Sequence, residues 1–195
     1  NKICVLDADL SKPNGTSSLY KEFPDRCFDV GIAEANMVGV AAGLAAYGYK
    51  PIVVTFAPFA TRRVCDQIAV SVAYAKQNVK IVGTDPGITA ELNGGTHMSF
   101  EDIATLRSIP TMTIYDAVDD TQVYQAIKQI MNTDGPCYIR MPRKAAQPVY
   151  DENYKFALNK ADVITKGNDI TIVASGIMVA ESLKAVLKLK EEGIS

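Results

Sequence analysis

Short apolar runs rich in β-branched residues alternate along the chain with longer segments of helical periodicity. This alternation is typical of an α/β fold in which a parallel sheet carries helices on both faces, because each parallel strand needs a crossover to reach the next. The predicted strands cover residues 3–6, 27–30, 51–56, 79–83, 111–114, 137–141 and 170–174. The predicted helices cover residues 17–23, 32–47, 61–76, 99–108, 121–132 and 179–192.

A polar, irregular segment near residue 150 interrupts this pattern. Residues 1–149 hold six of the predicted strands, enough to bury a core. Residues 150–168 are predicted to be a linker. Residues 169–195 contain one predicted strand and one helix, which cannot bury a core alone. We therefore expect this last segment to be the start of a further, incomplete α/β domain.

Composition excludes several classes of protein. The 195 residues are 48% hydrophobic with a net charge of −2, which fits a globular protein and gives no basic surface for nucleic acid. No apolar run reaches the roughly 18 residues of a membrane helix, and no charged leader precedes the first strand, so we expect a cytoplasmic protein. The four cysteines are widely spaced and there is one histidine, which predicts reduced thiols and no metal site in this chain.

Polar and aromatic residues follow the ends of most predicted strands. Ligands of open parallel sheets bind beyond the carboxyl ends of the strands, because loops and helix starts gather there. We therefore expect the following residues to line one edge of the sheet: Asp7, Asp9, Glu34, Phe56, Phe59, Asp85, His97, Asp116, Arg140 and Arg143.

Glu34 is the one charged residue in the small and apolar run from residue 30 to residue 48. A helix that is apolar on all sides is normally buried, and a buried carboxylate costs several kcal/mol unless a partner holds its proton or its charge. Glu34 is therefore predicted to meet a ligand or another chain. The alternative is a first-turn glutamate that only favours the start of the helix.

Five short segments, taken together and in order, resemble the pyrimidine-binding domain of transketolase, and in particular the separate C-terminal subunit of split bacterial transketolases. The resemblance covers nearly the whole chain. It implies an enzyme of pentose phosphate metabolism that uses thiamine diphosphate to move a two-carbon ketol unit between sugar phosphates. The segments are residues 7–11 (DADLS), 25–34 (DRCFDVGIAE), 55–62 (TFAPFATR), 94–97 (GGTH) and 139–143 (IRMPR).

The resemblance assigns several residues to the cofactor. Glu34 is implied to hydrogen-bond ring nitrogen N1′ of the aminopyrimidine and so activate the cofactor, a role for a carboxyl whose affinity for protons is raised by burial. Phe56 and Phe59 are implied to stack on the aminopyrimidine, with core packing as the alternative for either ring. Asp9 is also assigned to the cofactor. Arg62 could stack there or could reach a substrate phosphate.

A second group of residues is assigned to the substrate. His97 is implied to exchange protons with the donor's hydroxyl groups, with a purely structural hydrogen bond as the alternative. Arg143 matches the arginine that grips the sugar phosphate, although Arg140 could do so, or both could be ordinary surface charges. Asp85 and Asn93 stand where the family has a histidine and an aspartate that contact the donor.

These substrate-facing positions depart from the family pattern, and Met98 and Pro13 depart from it as well, replacing a glutamine and a phosphate-contacting hydroxyl residue. The cofactor-facing positions match the family. We therefore expect the cofactor chemistry to be retained with a sugar other than xylulose 5-phosphate; loss of activity is the alternative.

The chain has no Gly-Asp-Gly motif, with which the family holds the cofactor's diphosphate through a divalent metal. The resemblance implies that a diphosphate-binding N-terminal subunit or domain supplies this half of the site with Mg²⁺, in a dimer or heterotetramer. The small residues between Gly39 and Gly48 suit close packing against it. Three alternatives remain open: a 1-deoxyxylulose-5-phosphate synthase, a 2-oxoacid dehydrogenase β subunit, and a noncatalytic flavodoxin-like binding module.

Overall fold

The computed structural model describes residues 2–195 and contains one six-stranded sheet with the strand order β2-β1-β3-β4-β6-β5. Strand β1 pairs in parallel with β2 and β3, β3 with β4, and β4 with β6. The predicted α/β fold with a parallel sheet is confirmed. The strands are β1 (Ile3–Asp7), β2 (Cys27–Asp29), β3 (Lys50–Phe56), β4 (Lys80–Thr84), β5 (Thr113–Asp116) and β6 (Cys137–Met141).

Within the described residues, seven α-helices accompany these strands: α1 (Ser17–Glu22), α2 (Glu34–Ala46), α3 (Ala57–Ala60), α4 (Cys65–Gln67), α5 (Asp102–Arg107), α6 (Asp120–Asn132) and α7 (Met178–Glu191). Three 3₁₀ helices cover Pro24–Arg26, Arg62–Val64 and Gly87–Asn93, and a π-helix covers Ile68–Tyr74. In the described part of the chain, no helix has both the length and the apolar character needed to cross a membrane.

The prediction of one continuous helix over residues 61–76 is wrong. Thr61 leaves the helical region of backbone space (φ −127°, ψ −87°), and its hydroxyl donates a hydrogen bond to the Ala57 carbonyl. The chain then continues as a 3₁₀ turn, the short helix α4 and a π-helix. Val64, Ile68 and Val72 of this segment are fully buried, so packing against the core selects this irregular winding.

The predicted strand at residues 170–174 is also wrong, because these residues form no strand in the structure. The segment has the β-branched composition of a strand, yet Val173 is 90% exposed and Ile170 is exposed as well. A strand is stabilised by pairing with a neighbouring strand, and the six-stranded sheet of the described residues does not include this segment.

The chain divides into two compact units. The first contains the residues up to Tyr115 together with Thr133–Arg143, and the second contains Asp116–Asn132 and Lys144–Ser195. In the second unit, Gln125 and Gln129 of α6 bond to the main chain of residues 154–158, within the predicted linker. The domain boundaries at residues 149 and 168 stay predictions.

The core of the first unit fixes the strand ends that carry the predicted site. Leu6, Met37 and Ile81 are fully buried in it. Gly83 of β4 lies against the ring of Tyr138 of β6, where a Cβ atom would collide with that ring. The glycine therefore lets Tyr138 cross β4, and the Tyr138 hydroxyl donates a hydrogen bond to Asp102 at the start of α5.

Candidate functional site

A turn braced by Asp29 places Glu34 at the first position of α2. The Asp29 carboxylate accepts hydrogen bonds from the backbone N–H groups of Asp9 and Gly31, at 3.0 and 2.9 Å. Gly31 has a φ of +71°, a conformation that favours glycine, and it turns the chain from β2 towards α2. Glu34 follows with 4% of its surface exposed, as the sequence predicted for a carboxylate in an apolar helix.

Glu34 is paired with an arginine of its own chain, which the sequence analysis did not single out. Arg63 Nη1 lies 2.5 Å from Glu34 Oε1, and the Arg63 guanidinium carbon lies 3.7 Å from the centre of the Phe59 ring. Arg63 lies in the 3₁₀ turn after α3, and its side chain is 44% exposed. The Arg62-Arg63 pair beside the aromatic motif was the available sequence signal.

The three rings predicted to lie at the reaction centre form one cluster. The centroids of Phe56 and Phe59 are 6.0 Å apart, and the His97 ring lies 5.6 Å from Phe56 and 5.2 Å from Phe59. Phe56 ends β3 and is buried, and Phe59 is half-buried on α3. Through Arg63, the Glu34 carboxylate is connected to this cluster.

Arg62 points to the loop that carries His97. Its guanidinium bonds to Glu101 Oε1 at 3.0 Å and to the Thr96 carbonyl at 3.1 Å. The Thr96 hydroxyl in turn lies 2.8 Å from His97 Nδ1. The structure therefore shows Arg62 bracing the histidine loop, and its predicted cofactor role stays a prediction.

Asp85 and Arg143 form an ion pair next to the aromatic cluster. Asp85 follows β4 and is buried, and Arg143 follows β6 with 30% of its side chain exposed. Arg143 Nη2 lies 2.9 Å from Asp85 Oδ2, and the Arg143 backbone N–H donates to Asp85 Oδ1 at 3.1 Å. The guanidinium carbon of Arg143 lies 5.5 Å from the centre of the Phe56 ring.

Arg140, the alternative anion-binding residue, is held in a buried network. Its Nε lies 2.7 Å from Asp102 Oδ2, and the same oxygen accepts the Tyr138 hydroxyl at 2.8 Å. Arg140 therefore ties β6 to the start of α5. The assignment of the substrate anion to Arg143 rather than Arg140 stays a prediction.

The other two predicted site residues are both exposed. Asp9 is exposed, has a φ of +59° and bonds through its backbone to Asp29. Asn93 is exposed at the end of the Gly87–Asn93 helix. Their assignments to cofactor and donor stay predictions. Among residues 2–195, the structure brings together no three His, Cys, Asp or Glu side chains that could share a metal ion.

Comparison with known proteins identifies the family. The family model of the transketolase pyrimidine-binding domain matches residues 1–148, and that of the transketolase C-terminal domain matches residues 159–195. The chain is 54% identical over 194 residues to a 6-deoxy-6-sulfo-D-fructose transketolase subunit of Clostridium sp. (strain MSTE9), and it covers 60% of that protein.

It is also 43% identical to a putative transketolase C-terminal section of Methanocaldococcus jannaschii, of which it covers 62%. A solved structure of a split-gene transketolase, described as an inactive beta4 tetramer, aligns with all of this chain and 63% of its own, with a TM-score of 0.89 and 42% identity. The chain thus spans about 60% of the length of these curated relatives. Together with the parallel sheet, these matches show that the chain belongs to the transketolase family.

Proposed function

We propose that this chain is the pyrimidine-binding part of a thiamine diphosphate-dependent transketolase that works with a separate diphosphate-binding subunit. The observation that carries this proposal is the buried Glu34 carboxylate, which Arg63 connects to the ring of Phe59. An aminopyrimidine is flat, has faces suited to aromatic contact, and carries a ring nitrogen that can share a proton with a carboxyl group. Glu34, Phe56 and Phe59 offer the complementary set of contacts.

When bound, thiamine diphosphate supplies the carbon nucleophile that removes a two-carbon ketol unit from a ketose. Glu34 would hold a proton at the ring nitrogen, and the two phenylalanines would shield that proton from water. A ligand that hydrogen-bonds Glu34 must replace Arg63 there. The Arg63 side chain is 44% exposed, so it can turn its guanidinium into solvent.

For the substrate, we propose a ketose with a terminal anionic group. His97 lies against both phenylalanine rings, where it can exchange protons with substrate hydroxyls, and the planar guanidinium of Arg143 can bind the anion. One relative is named for a sulfonated sugar, 6-deoxy-6-sulfo-D-fructose, and another, 39% identical, for apulose 4-phosphate. The relatives described above are named transketolases, which does not favour a synthase, a dehydrogenase subunit or a noncatalytic module.

The partner subunit would hold the diphosphate and Mg²⁺. One face of α2 supports such a partner, because Ala35, Gly39, Val40 and Gly43 are exposed. Apart from the neighbouring backbone of α2 itself, no described atom lies within 4 Å of where a Cβ would stand at either glycine. Another chain can therefore approach this helix closely.

The test is to combine the full-length subunit that contains this chain with a subunit from the same genome that carries a Gly-Asp-Gly motif. Ketol transfer is then assayed with thiamine diphosphate and Mg²⁺ over a panel of ketose phosphates and sulfonates. We expect turnover only when both subunits and the cofactor are present. Binding of the two subunits without turnover of any donor would instead support a noncatalytic role.

A further inference from the structure

We infer that Asp85 positions Arg143 and offsets its charge, so that this end of the site favours a singly charged terminal group, such as a sulfonate, over a doubly charged phosphate. This inference rests on the proposed function. It assigns a role to a residue at which the chain departs from the family pattern, and it makes that residue a determinant of donor choice without direct contact to the donor.

The structure shows why Asp85 acts through Arg143. Asp85 is 3% exposed, and both of its carboxylate oxygens face Arg143, one at the backbone N–H and the other at Nη2. The backbone N–H of Asp85 donates to the Met141 carbonyl, which ties the ends of β4 and β6 together. Asp85 thus fixes both the main chain and the side chain of Arg143.

Arg143 is the member of the pair that a donor can reach. Its side chain is 30% exposed, and its guanidinium carbon lies 5.5 Å from the centre of the Phe56 ring. The same Phe56 ring packs against the ring of His97. A guanidinium carries five N–H donors in a planar fork, so the bond to Asp85 leaves donors for a tetrahedral anion.

Charge then decides which anion binds best. A phosphate monoester carries about −1.5 to −2 charges at pH 7, whereas a sulfonate carries a single charge. Repulsion from the Asp85 carboxylate grows in proportion to the charge of the ligand, so a phosphate loses more binding energy than a sulfonate does. Arg62 and Arg140 do not offset this effect, because each also lies in an ion pair with a carboxylate, that of Glu101 and that of Asp102. Arg63, once the cofactor has replaced it at Glu34, turns into solvent, where water and salt screen its charge.

The experiment compares D-fructose 6-phosphate with its 6-deoxy-6-sulfo analogue as donors for the assembled enzyme. The measured quantity is the ratio of kcat/KM for the sulfonate to kcat/KM for the phosphate, because a general loss of activity cancels in that ratio. We expect Asp85→Asn to lower the ratio about three- to tenfold, mainly through KM. In an Arg143→Met background the same substitution should leave the ratio unchanged. Asp85→Gly, which suits the φ of +52° at this position, is the second variant if Asp85→Asn does not fold.

An unchanged ratio in Asp85→Asn overturns the inference, and so does an equal change in the Arg143→Met background. Unsubstituted D-fructose reports on the proposed function separately, since its turnover requires no anion site. Calorimetric titration with the corresponding hexitol phosphate and hexitol sulfonate, which cannot be cleaved, gives the ratio of their dissociation constants. We expect Asp85→Asn to shift that ratio in the same direction. The inference therefore stands or falls even if no donor is turned over.

Discussion

Glu34 and Asp85 are both buried carboxylates that follow strands of the same sheet, and both are paired with an arginine, yet they are held in different ways. Glu34 is bonded to the side chain of Arg63, nearly half of which is in solvent. Asp85 forms an ion pair with the side chain of Arg143 and accepts a hydrogen bond from the backbone N–H of the same residue. Its own backbone N–H donates to Met141 at the end of β6.

This difference separates an exchangeable acid from a fixed one. A ligand can take the place of the Arg63 side chain without any movement of the main chain, whereas Asp85 cannot be released without moving the segment after β6. Both acids are buried, so burial alone does not distinguish them. We therefore expect Glu34, whose partner is only a side chain, to be the acid that meets a ligand.

The largest effect is expected from Glu34→Gln. If Glu34 shares a proton with the cofactor, the amide should reduce ketol transfer by the assembled enzyme about 10²- to 10³-fold. Its melting temperature should change little, because the amide has the same shape and Arg63 can be hydrated. Steady-state kinetics and thermal melts measure the two quantities, and a Gln variant with normal turnover would refute the role of Glu34.

Asp85→Ala should affect stability more than Glu34→Ala does. In Asp85→Ala the partly buried backbone N–H of Arg143 loses its acceptor, and alanine is strained at a φ of +52°. We therefore expect the free energy of unfolding to fall by about 2–3 kcal/mol. For Glu34→Ala we expect the free energy of unfolding to fall by only about 1 kcal/mol, because water can hydrate the Arg63 guanidinium once its partner is removed. Urea denaturation gives both values. Equal losses would remove the distinction between the two acids.

Arg63→Met should tighten thiamine diphosphate binding by the assembled enzyme, by up to about tenfold, because the cofactor no longer competes with the guanidinium. Calorimetric titration measures the dissociation constant. Arg62→Met is the matched control, since Arg62 bonds to Glu101 and Thr96 and not to Glu34. Weaker binding in Arg63→Met than in the control would show that Arg63 helps to bind the cofactor and does not compete with it.

A third buried carboxylate, Asp7, should show the smallest effect. It accepts hydrogen bonds from Leu10 N and Thr16 Oγ1, and burial raises its pKa. The folded chain therefore binds this proton more tightly than the unfolded chain does, so the contribution of Asp7 to stability is greatest below about pH 4 and is lost as the pH rises through the raised pKa. The stability of the wild type relative to Asp7→Asn, measured by urea denaturation, should accordingly fall as the pH is raised from about 4 towards neutrality. A constant difference would contradict this.

Sequence reasoning predicted the sheet and the grouping of Phe56, Phe59 and His97, because strand-end positions and motif order depend on local patterns. It missed the pairing of Arg63 with Glu34, which depends on the 3₁₀ turn that follows Thr61. It also missed the bond between Asp85 and Arg143. These residues are 58 positions apart and meet because β6, not β5, lies beside β4, an order that the sequence does not reveal.

A crystal structure of the assembled subunits with thiamine diphosphate tests whether Glu34 exchanges one partner for another. We predict that the Glu34 carboxylate lies within roughly 2.6–3.0 Å of ring nitrogen N1′ and that the Arg63 guanidinium has left the face of Phe59. A structure in which Glu34 is still paired with Arg63, and in which the bound aminopyrimidine lies away from Phe56 and Phe59, would contradict this exchange of partners.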